Sequence, residues 1–122
     1  MIERAKVSNN GGDGIMANGT LTTGSIKMSI RNTESVHNTN DGFVAFSAGA
    51  VVQMLMDACG AYDNNRGINA SGAGAVASFT RCTIDANTIG VNQVGAGQAL
   101  SYSTNSISGN GSPGVFGTAA QQ

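Results

Sequence analysis

Gly, Ala, Ser, Thr and Asn supply 69 of the 122 residues, against six Phe and Tyr, no Trp and one Pro. One small domain fits this length, and a broad core of large apolar side chains is excluded. Six basic and seven acidic residues give a net charge of −1, too little and too balanced for a nucleic-acid or anionic-membrane surface, or for disorder driven by self-repulsion.

In chain order, short apolar segments recur between glycines and asparagines. Ile2 to Val7 leads to Asn9 and Asn10, and Gly14 then opens a unit with segments at Ile15–Ala17, at Ile26, Met28 and Ile30, and around Val36. The unit after Gly42 carries Phe43–Ala45, Val51–Met56 and Tyr62; the one after Gly67 carries Ile68–Ala70, Val76–Phe79 and Ile84. Val91, Leu100–Tyr102 and Ile107 follow Gly90, and Val115 and Phe116 follow Gly114. The leading glycines are spaced by 28, 25, 23 and 24 residues, and a second column at Gly49, Gly74 and Gly97 lies seven residues after its leader. Segments this short, rich in β-branched residues, predict three strands per unit.

A unit of about 24 residues is too short for a four-stranded propeller blade and fits one turn of a coil. Stacked coils place each segment beside its copies at about 4.8 Å, so narrow columns of Val, Ile and Ala suffice as core. Asn10, Asn38, Asn64, Asn87 and Asn110 each follow a third-strand anchor and predict a stacked side-chain ladder, since an amide both donates and accepts. Gly14, Gly42, Gly67, Gly90 and Gly114 predict a structural column that supplies turns with positive φ.

The repeat, apolar-x-Asn-Asn-x-x-Gly-Ile and its variants, resembles that of the right-handed parallel β-helix proteins, the group that includes pectin-lyase-like folds. The resemblance covers residues 2 to 117 and leaves 118–122 as a C-terminal tail. It implies an all-β solenoid of four to five coils and an extracellular or cell-surface bacterial setting. Neither end shows a cap, which predicts a C-terminal fragment of a longer β-helix, with further N-terminal coils or a second copy covering the open end.

Chemistry-bearing residues are few. Ser8, His37, Asp63, Asp85 and Ser108 follow the third-strand anchors, a column that would stack His37, Asp63 and Asp85. Two carboxylates about 5 Å apart suit a retaining glycoside hydrolase, so these three are the catalytic candidates. Asp13, Asp41, Arg66, Ile89 and Pro113 form a column before the leading glycine, where Asp41 and Arg66 can pair; Arg31, Asp57 and Arg81 suggest another alternating ladder. Asn38-Thr39-Asn40-Asp41 is similar to the Asn-Thr-Asp signature of polygalacturonases with one residue inserted, while their Asp-Asp and Gly-His-Gly motifs are missing. Cys59 and Cys82 lie near one column as free thiols, and with the single His37 they show no paired metal-ligand spacing, so no metal or cofactor is expected. The expected role is a non-catalytic scaffold or weak glycan-binding segment with carbohydrate as the partner and neither nucleic acid nor membrane insertion; the alternatives are a polysaccharide-active enzyme and an oligomerisation module of a fibre-like protein.

Overall fold

A computed structural model describes residues 1–102 and 104–119. The fold is an all-β parallel solenoid of about four turns, with three strands per coil and about 23 residues per turn. Strands β1 (Ile2–Glu3), β4 (Ser25–Arg31), β7 (Val51–Asp57), β10 (Ala75–Thr80), β13 (Gln98–Tyr102) and β16 (Gly117–Ala119) stack in that order as sheet A. Sheet B stacks β2 (Lys6–Ser8), β5 (Glu34–Val36), β8 (Gly60–Tyr62), β11 (Thr83–Asp85) and β14 (Ser106–Ser108). Sheet C stacks β3 (Ile15–Asn18), β6 (Asp41–Phe46), β9 (Arg66–Ser71), β12 (Ile89–Val94) and β15 (Ser112–Gly114). The chain thus steps from A to B to C and back once per coil. Of the expected tail at 118–122, Thr118 and Ala119 lie in β16, paired with Ser101 and Tyr102; residues 120–122 lie outside the described residues.

The coils shorten along the chain. Ile2 pairs with Ile30, 28 residues on; Ile26 with Val52, 26 on; Val52 with Ala75, 23 on; and Leu100 with Gly117, 17 on. Most of the change falls at the return from sheet C to sheet A, where six residues link β3 to β4 and two link β15 to β16.

Inward residues form columns of unequal volume. In sheet A, Met54 and Met56 of the third coil stack on Ala77 and Phe79 of the fourth; in sheet B, Ala61 stacks on the larger Ile84. Phe116 packs edge-on against Phe79, with ring centroids 6.3 Å apart at 68°.

Two of the three corners turn through a single residue in the left-handed conformation. Between sheets A and B it is Arg4, Asn32, Ala58 or Arg81, with φ of 48° to 54°; between B and C it is Asn9, His37, Asp63, Ala86 or Gly109, with φ of 55° to 66°. This corrects the expectation for the leading glycines: Gly14, Gly42, Gly67 and Gly90 are absent from the positive-φ residues. They serve close approach instead. A Cβ on Gly42 would lie 2.6 Å from the carbonyl oxygen of Gly67 and 2.8 Å from the Asn64 amide nitrogen. Gly114 leaves the column altogether, since it pairs with Val91 and has φ of 87°, and register sets Pro113 opposite Gly90. The segment from Asn110 follows the shorter spacing of Asn64–Gly67 and Asn87–Gly90, which puts Pro113, not Gly114, three residues after its Asn.

Ala86 is an exposed non-Gly residue in the left-handed region, in the corner column where the next coil uses Gly109. Removing its Cβ relieves a penalty of about 1–2 kcal/mol, offset by roughly 0.5–1 kcal/mol of chain entropy. Ala86→Gly is therefore expected to raise the melting temperature by a few degrees in a thermal scan, by way of about 0.5–1 kcal/mol.

Candidate functional site

The corner from sheet B to sheet C carries most of the polar residues singled out from the sequence. After each left-handed residue comes the ladder asparagine. Asn38, Asn64 and Asn87 are buried, and the Oδ1 of each accepts from both the backbone N–H and the Nδ2 of the asparagine one coil earlier, at 2.8 to 3.2 Å. Asn110 accepts the same pair from Asn87, both at 3.0 Å. The second Nδ2 proton goes to a carbonyl of the sheet B strand in the preceding coil: Ser35 for Asn64, Ala61 for Asn87 and Ile84 for Asn110. Asn38 instead donates to the Ser35 hydroxyl, which in turn donates to the Gly42 carbonyl at 2.7 Å. The five asparagines and the glycines Gly14, Gly42, Gly67 and Gly90 thus tie each coil to the next, while Gly114 sits outside its expected position.

His37 and Asp63 are neighbours in the left-handed column, with Nδ1 and Oδ2 2.6 Å apart. They line a shallow depression of about 190 Å³ with Asn38 and Thr39. Both side chains are about two-thirds exposed, at 67% and 62%. Asp85 does not join them. It lies one position earlier, on β11, opposite Tyr62 and Ser108, and the residue after it, Ala86, holds the corner position. The expected stack of three is thus a pair plus an outlier. Its cause is the face assigned to the anchors: Val36 and Tyr62 are half-exposed, and the inward column is Val7, Ser35, Ala61, Ile84 and Ile107. A carboxylate orienting an imidazole is half of an acid–base device, but water reaches this one freely and no described wall would position a substrate against it.

The outer face of sheet C is built differently. Asp41, 3% exposed, receives the Arg66 Nε on Oδ1 at 2.5 Å and the Asn69 Nδ2 on Oδ2 at 2.8 Å. Asn92 then donates to the Oδ1 of Asn69 at 2.9 Å, and the Asp41 N–H donates to the Asp13 carboxylate at 3.0 Å. The alternation of β9 and β12 fixes this: Ile68 and Val91 point into the core, so Asn69 and Asn92 point out, in register one coil apart. Val44, above Asn69 in the same column, is 3% exposed yet lies outside the core cluster. The surface here is recessed. Its groove, about 250 Å³, is lined by Asp41, Arg66 and Asn69 of this polar chain together with Met16, Phe46 and Val94, which are 41%, 37% and 52% exposed.

Asp41 and Arg66 are expected neighbours from their spacing; Asn69 and Asn92 are not. Their signal was present, two residues after Gly67 and Gly90, where the first two units have Met16 and Val44. At the corner from sheet A to sheet B, Arg81 grips Asp57 with two of its three guanidinium nitrogens, Nε at 2.8 Å and Nη2 at 2.6 Å. That hydrogen-bonded guanidinium holds the Asp57 carboxyl below the usual carboxylate range. Arg31 pairs in register with Asp57, whereas Arg81 stands one residue past the position opposite it, which Thr80 fills. No family model, curated protein or solved structure matches this chain.

Proposed function

We propose that the chain is a non-catalytic segment of a parallel β-helix of the pectin-lyase-like kind, on a secreted or surface protein, and that the outer groove of sheet C is its carbohydrate-binding surface. The observation that supports this is the chain of hydrogen bonds from Asn92 through Asn69 to Asp41 and Arg66, set beside exposed Phe46. Side chains already fixed by one another lose little entropy on meeting hydroxyls, and an aromatic face suits the apolar side of a sugar ring. A groove this open and shallow corresponds to weak affinity.

Titration of the folded protein with a panel of neutral and uronic oligosaccharides, followed by NMR shift changes, tests the assignment. Binding that perturbs Asn69 and Asn92 amides and is lost in Phe46→Ala, with melting temperature unchanged, is the expected outcome. Absence of binding across the panel at millimolar ligand removes the reading. The contact between His37 and Asp63 favours hydrolysis as a second reading, and turnover of any of these glycans that disappears in His37→Ala would establish it.

A further inference from the structure

Cys59 and Cys82 each precede a sheet B strand by one residue, and the first residues of those strands, Gly60 and Thr83, pair in register. The two side chains therefore stack one coil apart. Both are free and buried, with 4% and 2% exposure. Adjacent parallel strands lie about 4.8 Å apart, inside the range of Cα separations that a disulfide spans.

The residues above and below show what this position needs. Thr33, one coil earlier, donates from its hydroxyl to the Arg31 carbonyl at 2.8 Å, and Asn105, one coil later, donates to the Phe79 carbonyl at 2.8 Å. Cys59 faces the equivalent carbonyls of Asp57 and Ile30, both at 3.5 Å; Cys82 faces those of Thr80 at 3.2 Å and Met56 at 3.8 Å. A corner that calls for a strong donor thus holds the weakest one twice, in consecutive coils. As plain capping residues two thiols are a poor choice; the Asp57 and Thr80 carbonyls already accept the Asn32 and Ala58 backbone N–H, each at 3.1 Å, so a bonded pair of sulfurs can fix the corner without donating.

We propose that Cys59 and Cys82 form a disulfide between the third and fourth coils, with a small-molecule disulfide such as oxidised glutathione as the oxidant. In the folded corner contact with Cys82 lowers the Cys59 thiol, while contact with Cys59 and burial push Cys82 up; in the opened chain either thiolate can react first. Starting from Cys59, its thiolate attacks one glutathione sulfur, forming a mixed disulfide and expelling one glutathione thiolate. Cys82 then gives its proton to solvent and attacks the Cys59 sulfur, expelling the second. The cysteine pair loses two electrons, the oxidant gains them, and two glutathione thiolates take up protons.

The test is refolding of the reduced, unfolded chain in a glutathione redox buffer, so that burial does not limit access. Expected are loss of both titratable thiols, an intact mass lower by two hydrogens, a peptide linking residues 59 and 82, and a melting temperature about 10 °C higher that reductant reverses. Cys82→Thr, which restores the donor found at Thr33, folds and shows no such shift. Two free thiols in the refolded protein, a stable mixed adduct with glutathione, or disulfide-linked dimers would each overturn the proposal.

Discussion

Gly67→Ala is expected to destabilise the fold by at least about 3 kcal/mol, a fall of more than 10 °C in melting temperature. Its Cβ would sit 2.6 Å from the carbonyl oxygen of Gly90, 2.8 Å from the Ile84 Cγ2 and 2.9 Å from the Asn87 amide nitrogen. All three belong to the next coil, and the nearest is backbone. Relief requires prising two coils apart across the whole stack of sheets B and C, so no local shift absorbs the clash. Since the Gly67 backbone is not in the left-handed region, the effect is steric and not conformational. Gly12→Ala is the matching control: nothing lies within 4 Å of its added Cβ, and it should leave the thermal midpoint where it is.

Asn64→Asp should cost about 2–4 kcal/mol at neutral pH, although the two side chains have the same shape. One oxygen can still accept from the Asn38 N–H and Nδ2, which lie at 3.0 and 2.9 Å. The other replaces an Nδ2 that donates to the Asn87 Oδ1 at 3.1 Å and the Ser35 carbonyl at 3.0 Å, and sets oxygen against oxygen at both. Only the protonated acid restores a donor there, so the folded state raises the carboxyl's pKa above its unfolded value of about 3.9. Stability then falls as pH rises through the interval between the two values. The signature is a melting-temperature difference from the unsubstituted protein that is small near pH 3 and grows towards pH 7. A difference independent of pH would assign the loss to packing.

Much of this architecture is readable in the sequence because the ladder tolerates no substitute. A position that must donate to and accept from its own copy is filled by Asn five times, and a position that must clear the next coil's carbonyl is Gly four times in succession. These two demands repeat with the coil, so they reveal the period and the three segments. Strand faces are harder. A three-residue strand offers one inward position, and its identity rests on what the rest of the coil leaves room for. Ser35 occupies it because its hydroxyl joins the ladder to the Gly42 carbonyl, and Ala61 stacks on it in register. Apolar Val36 and Tyr62 then point outward, so the residue after them, His37 or Asp63, is a corner residue, whereas the residue after inward Ile84, Asp85, is still in the strand. Positive φ was hidden for another reason. Corners built on Asn, His, Asp, Ala and Arg show that ladder hydrogen bonds and coil stacking override the conformational preference that would have marked them with glycine.

The contraction of the coils bears on how the chain finds its register. In a solenoid of identical repeats, a strand could pair with the coil beyond its neighbour and leave one coil looped out, with nearly the same contacts formed. Here the coil perimeter contracts from 28 residues to 17 along the stack. A skipped coil would set a wide turn on a narrow one, so that its three sheets and its corners could not all keep register at once. Irregularity within the repeat thus separates the correct stacking from its slipped competitors, turning a degenerate folding problem into one with a single low-energy solution.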